Sequence, residues 1–465
     1  MKNAQMVLLI IAFSTLGFAQ TRQTQQAPPK RGPMKSPRAT AAATNPTATG
    51  AIVLRGGKLL TITHGVIEDG MLVMENGKIT AVGKAGSVSV PKNAQVVDCT
   101  GMTVYPGLID SETHLGLTEV SADKMTNDLI EKSDEIMPHM HVADAFHAES
   151  SLIPVTRYNG VTNAIVAPTN EDTLPGQDSF VQLYGKNADD MLMVRDNALP
   201  LNFTGEQRRN DSFEHAKFPF TRMGMASQLR QTFIDAQDYA KKWDDYRKEQ
   251  SSPSGSDKKD DKKKPEEPKH DLKFDALLPY LDGKKPVVVE AEEPNDIETV
   301  MGLAKEFHLK VVLNGVTHSA SVLDEVAAYK VPVIISGFYT EPHDDERYDA
   351  VFSLPAELAK RGVKIAFATN DAHNVRNLPY EAGYAVAFGL PYDEALKAVT
   401  LNPAEIWGLS DQLGSLDAGK SATVVVANGD PLDVKTDVKR VFIAGHDVPM
   451  VTKQTILRDQ YSSQP

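Results

Sequence analysis

The residues whose types and spacing could do chemistry stand at the ends of short apolar runs. PGLIDSETHL carries Asp110, Glu112 and His114. In an extended strand, side chains two apart share a face, so these three point the same way. PVVVEAEE ends in Glu290 and Glu292, VVLNGVTH ends at His318, and IAFATNDAH ends in Asp371 and His373. Gathering so many charges away from water is costly unless a cation or partner charges compensate. Imidazole and carboxylate in this mixture suit a divalent cation such as Zn, Mn or Fe. His114 reads as a metal ligand. Glu112 and Glu290 read either as ligands or as solvated rim carboxylates, and His318 as a ligand or a structural histidine. Asp371 closes the last run, where a carboxylate is well placed as ligand and general base. His373 supports the loop more readily than it binds metal, and with Asn374 and Arg376 it forms the group expected to contact substrate or support the site. His139-x-His141 falls in a loop-to-helix region and is set aside.

These side chains need a scaffold that brings strand ends together. Eight apolar runs, near VYPGLID, GVTNAIVAP, DSFVQLY, ALPLNF, KPVVVEA, LKVVLNG, VPVIISG and VKIAFAT, alternate with helical patterns such as NDIETVMGLAKEFH. That order predicts an α/β fold, a (β/α)8 TIM-like barrel over 105–412, with chemistry at the carboxyl ends of its strands. An open doubly wound sheet is the fallback, but no Gly-rich phosphate loop follows the first run. Short alternating strands precede the barrel and return after it. They predict a small β-sandwich domain built from both termini, 51–104 and 413–455.

Other segments read as unstructured or removable. Residues 1–19 combine Lys2, a short apolar run and small residues at Gly17 and Ala19, as a cleaved secretory signal does. Residues 20–50 read as a disordered leader, and 251–271, rich in Ser, Lys, Asp and Pro, as a disordered insertion. The expected location is periplasmic or extracellular, with no membrane span after cleavage. Cys99 is the only cysteine, so an exported chain of this composition has no internal disulfide. A net charge of −13 argues against nucleic acid as a partner.

The segments VYPGLIDSETHLGL, DAHNVRNLPYEAG, AVTLNPAEIWGL and LGSLDAGKSATVVVANGDPLD resemble the amidohydrolase superfamily, in particular exported bacterial imidazolonepropionase-like and prolidase-like members with altered metal ligands. The resemblance implies one or two divalent metals held by a His-x-His on strand one, often a carboxylated Lys on strand four, His on strands five and six, and Asp on strand eight. It implies attack of metal-bound hydroxide on a carbonyl carbon, with the strand-eight Asp shuttling the proton to a leaving nitrogen. His114 matches the second His, Asp371 the strand-eight Asp, and His318 falls near the strand-six position. Glu112 and Glu290 stand where His is expected, and Leu201 near the place of the Lys, so the resemblance implies one ion rather than two. Related enzymes often pair, so a homo-oligomer is compatible with the resemblance. Two readings remain. One is a metal-dependent hydrolase of C–N bonds in a non-peptide amide, cyclic amide or small peptide. The other is a non-catalytic relative, without metal, that binds a small molecule or partner at the barrel mouth.

Overall fold

The computed structural model describes residues 50–169, 171–204, 218–251, 266–343 and 345–462. The expected signal segment, nearly all of the leader and most of the 251–271 insertion lie outside them.

Strands from both ends of the chain make one eight-stranded sheet. From the first part come β1 (Ala51–Leu60), β2 (Val66–Glu75), β3 (Lys78–Lys84), β4 (Gln95–Asp98) and β5 (Thr103–Pro106). β15, β16 and β17, bounded below, complete the order β17-β16-β15-β5-β1-β2-β3, with β4 beside β1. β1 reaches so many partners because its register slips on both sides of Gly57. A slip of this kind bends a strand, so one strand can serve two neighbours. The sheet closes over its own core, in which Leu54, Leu72, Cys99, Val104, Val424 and Phe442 meet. Burial pushes the Cys99 thiol up to about 11, so it remains an unreactive packing group.

The central region forms the barrel. Its strands are β6 (Leu108–Thr113), β7 (Val161–Val166), β8 (Ser179–Gln182), β9 (Leu192–Val194), β10 (Leu199–Asn202), β11 (Pro286–Ala291), β12 (Lys310–Gly315), β13 (Val333–Ile335) and β14 (Ile365–Phe367). The chain then leaves for β15 (Val424–Ala427), β16 (Val438–Ile443) and β17 (His446–Val448) of the other sheet. β10 to β14 are parallel in chain order, and β6 is parallel to β7. The third expected run, β8, instead lies antiparallel to β7 and pairs on with β9. Among the described residues, no helix separates β7 from β8. Without a helical crossover the chain doubles straight back, as antiparallel neighbours do. Between β14 and β6 the ring is joined by backbone bonds from Asn370 N to Glu112 O and from His114 N to Asp371 O, both 3.0 Å.

Strand burial follows from this ring. Val287, Val289, Leu313, Val333 and Ile365 face outward into the layer shared with the helices. Val288, Val312, Ile334 and Ala366 face inward, with Ile109, Ile165, Trp407 and Leu409 in the same cluster. Strands covered on both faces read as continuous apolar runs, which is how they were legible. The helix Arg222–Ser251 buries Met225, Leu229, Phe233, Ala236 and Tyr239 along one side. Phe233 meets Phe307 edge-on at 5.1 Å. This helix packs on the barrel wall, against the helices Leu272–Leu281 and Pro294–Phe307. Among the described residues no helix is long and apolar enough to cross a membrane.

Candidate active site at the barrel mouth

The first strand ends irregularly. Asp110 pairs with Ala164 but Thr113 with Val166, so β6 gains one residue on β7. Such a bulge re-aims side chains. Asp110 turns to the β14 end: its Oδ2 accepts from Thr369 Oγ1 at 2.7 Å and its Oδ1 from Thr369 N at 3.1 Å. Burial nevertheless pushes its carboxyl up to about 7. Glu112 reaches across the barrel, where its Oε2 accepts from Asn314 Nδ2 at 2.7 Å.

Parallel pairing sets Asn202 beside Glu290 and Glu290 beside Asn314, one row across β10, β11 and β12. Glu290 follows the inward Val288 by two residues, so it lies one layer above the apolar filling. Glu112 is held well above the usual carboxylate range by burial and then by the charge of Glu290. Burial and the charge of Glu292 push Glu290 up to about 8. Glu112 Oε1, Glu290 Oε2 and Asn314 Oδ1 are buried without a hydrogen-bond partner. No Lys or Arg among the described residues forms an ion pair with Glu112 or Glu290.

His114 Nδ1 donates to the Ala167 carbonyl oxygen at 2.9 Å, since a carbonyl can only accept and Nδ1 must therefore carry the proton. Nε2 is then the free lone pair. Burial lowers the His114 pKa, which keeps the ring neutral. Asp371 differs from the deep acids. Partial burial raises it, but bonds from Asn374 Nδ2 (2.9 Å), His373 N (2.6 Å) and Asn374 N (3.2 Å) prevail and hold it below its ordinary value. Asn370, in left-handed backbone at φ 48°, makes the turn that presents it. Asn374 and His373 thus serve Asp371 directly, and His373 Nε2 lies 3.1 Å from Glu119 O.

Other side chains point elsewhere. His318 sits three residues beyond β12 and contacts Glu346 through Nδ1 at 2.9 Å, stacked on His343. Arg376 gives its guanidinium to the His373 carbonyl at 3.0 Å. Arg222 is taken by the buried Asp296, with Nη2 to Oδ2 at 3.0 Å, and Arg157 by the Leu183 carbonyl at 2.7 Å. Leu201 points into the outer core, and it is Asn202 that lies opposite Glu290. His141 is bound to Asp196 at 2.7 Å.

Two participants escaped the sequence reading. Glu381, in the helix Leu378–Ala387, is buried with Oε2 unpaired. Burial, then the charges of Asp110 and Asp371, push it up to about 9. Its signal was position, since it shares a stripe with Leu378, Ala382 and Ala385, where an apolar residue is expected. Asn314 interrupts the apolar run of β12 and could have been noticed as its polar end.

The donor chemistry of the mouth fits a divalent cation: two carboxylates with an unpaired oxygen each, an unpaired amide oxygen and a neutral imidazole with a free nitrogen. The donor atoms are not drawn tight. Among the described residues, only His318, His343 and Glu346 bring three His, Cys or acidic ligand atoms within 4.8 Å of one another.

Known proteins resemble this chain in the same terms. Residues 326–448 match the amidohydrolase family. An amidohydrolase from Thermotoga maritima MSB8 has the same fold, with a TM-score of 0.74 and 27% identity, covering 85% of this chain and 99% of that one. The amidohydrolase tasK of Hapsidospora irregularis is 26% identical over 392 residues, which are 81% of this chain but 39% of that protein. An imidazolonepropionase of Bacillus thuringiensis (strain Al Hakam) is 48% identical over only 50 residues, 11% of this chain and 12% of the enzyme. The chain therefore spans well under half the length of these curated relatives. The fold is the amidohydrolase-superfamily barrel, and the likeness to imidazolonepropionase is confined to a short segment.

Proposed function

We propose that this chain is an amidohydrolase-family hydrolase that cleaves a C–N bond of a small amide, cyclic amide or short peptide at the barrel mouth. The observation that carries the reading is the set of buried, unpaired acceptors Glu112 Oε1, Glu290 Oε2 and Asn314 Oδ1. An unpaired buried acceptor costs about 1–3 kcal/mol, so three in one place argue for a function that repays them.

Glu112, His114 and Glu290 would hold one divalent cation, which when bound supplies Lewis-acid polarisation of the scissile carbonyl. Two carboxylates in place of two imidazoles favour a harder ion, Mn or Mg before Zn. Asp371, ionised at neutral pH, is the group able to take the proton of an attacking water and return it to the leaving nitrogen. Asn374 and the His373 amide orient it for that exchange. Glu381, about 9, remains protonated at neutral pH and can only donate. Two neighbouring carboxyls with pKa values pushed apart suit acid and base duties.

Export belongs to the same proposal, on the strength of Lys2, the apolar run that follows it and the small residues at Gly17 and Ala19. The reading is tested by screening N-acyl amino acids, dipeptides and cyclic amides with Mn, Mg, Zn and Fe. Turnover that needs a metal and is lost in Asp371→Asn supports it. Turnover that survives that substitution removes Asp371 from the chemistry.

A further inference from the structure

Outside the acidic mouth lies a second cluster of different composition. His318 follows β12, while His343 and Glu346 lie in the loop that follows β13. β12 and β13 are neighbours, so the sheet brings the three side chains to one place on the rim. One ligand atom from each lies within 4.8 Å of the others. The His318 and His343 rings stack with centroids 3.6 Å apart and planes 10° from parallel. His318 Nδ1 is 2.9 Å from Glu346 Oε2.

We propose that His318, His343 and Glu346 form a binding site for a zinc-type transition-metal cation, separate from the mouth. A tetrahedral ion with metal–nitrogen bonds of about 2.1 Å has ligand-to-ligand edges of about 3.4 Å. The His318–Glu346 contact is already within that edge, and the His343 ring has to turn out of its stack on His318 to aim its in-plane lone pair at the same ion. Two imidazoles and one carboxylate are the donor set zinc accepts at sites with an open fourth position. The supports that orient such ligands are present. His343 N donates to Glu346 Oε2 at 3.0 Å, which fixes the carboxylate. Glu293 Oε1 stands 3.7 Å from His343 Nδ1, within ion-pair range but beyond hydrogen-bond reach. The His318 side chain is only 5% exposed, so it is held in place before any ion arrives. The fourth position opens on a cleft of about 550 Å³, which Glu293, Asp345 and Arg347 also line. That cleft would admit water or a small anionic ligand to the ion.

His318 thus belongs with the rim and not with Glu112 and Glu290. The two sites sort metals by softness: nitrogen-rich at the rim, oxygen-rich at the mouth.

The test is titration of the metal-free full chain with Co2+ and Zn2+, followed by elemental analysis and by the visible spectrum of bound Co2+. Wild type is expected to give the strong visible bands of four-coordinate cobalt, discharged by one equivalent of Zn2+. His343→Ala and Glu346→Gln should each abolish those bands and weaken Zn2+ binding at least about tenfold. Glu290→Gln should leave them intact, so failure of the mouth and failure of the rim are told apart. His343 is partly exposed, and circular dichroism shows whether its variant is folded. Unchanged cobalt bands and zinc stoichiometry in both rim variants would overturn the proposal, as would the absence of four-coordinate cobalt in wild type.

Discussion

The two halves of the barrel interior obey opposite rules. In the lower half, Val288, Val312, Ile334 and Ala366 fill the space with Trp407 and Leu409, and little is left over. One layer higher, Glu112, Glu290 and Asn314 occupy the same kind of position, buried, with an oxygen of each unsatisfied. The lower layer is what a barrel needs to fold, because its contacts are apolar and close-packed. The upper layer opposes folding, since a buried carboxyl without a partner is either costly or forced to stay protonated. What separates them is a step of two residues along a strand, Val288 to Glu290. The barrel tolerates the upper layer because the lower one and the helical wall already hold the ring.

Substitutions that treat the halves alike should give opposite results. The largest effect is expected for Asp371→Asn, which keeps the shape but cannot take a proton: the turnover number should fall by about 10²–10⁴. Steady-state kinetics, with melting temperature as a control for folding, checks it. Next, Ile334→Ala in the lower layer should cost about 2–4 kcal/mol of stability in denaturant titration, with metal binding unchanged in the folded protein.

The upper layer should show itself through pH. The Glu290 carboxyl lies near 8 in the folded protein against an ordinary 4.5, and Asp110 near 7 against 3.8. Folded protein therefore holds protons that the unfolded chain has released, so their stabilisation is complete below the ordinary values and lost as pH rises through 7 and 8. Metal-free protein should lose stability between about pH 4 and about pH 8, by about 1.4 kcal/mol per pH unit for each of the two carboxyls where only the folded chain keeps its proton. Glu290→Gln should flatten that slope, and a flat wild-type profile would contradict the burial of these acids. The smallest effect is expected from exchanging both glutamates, Glu112→His with Glu290→His. Metal competition should move preference toward Zn by about tenfold, with little change in stability.

Much of this was legible in the sequence because the relevant signals are local. Strands buried on both faces read as apolar runs, so seven of the eight expected runs are parallel strands, while the short β9 answers to none of the runs. The remaining run, β8, was legible as a strand but not in direction, which depends on a connection without a helix. Asp110, Glu112 and Glu290 were visible as polar ends of such runs. Asn314 and Glu381 were not singled out, since their role depends on which side chains lie across the barrel, as in the 2.7 Å bond from Asn314 to Glu112. His318 shows the limit most clearly. Chain position put it near the mouth, but Glu346 and His343, more than twenty residues later, decide where its ring points.

The most direct measurement is the metal content of the His343→Ala protein, in which the rim no longer contributes, with and without the added pair Glu112→Gln and Glu290→Gln. Each protein is loaded with Mn, Mg, Zn or Fe, freed of excess and assayed on the amide panel. About one retained cation per chain with metal-dependent turnover, both lost when the two carboxylates are removed, is the expected result. Equal metal content and equal turnover in the two proteins would contradict a cation-assisted site at the barrel mouth.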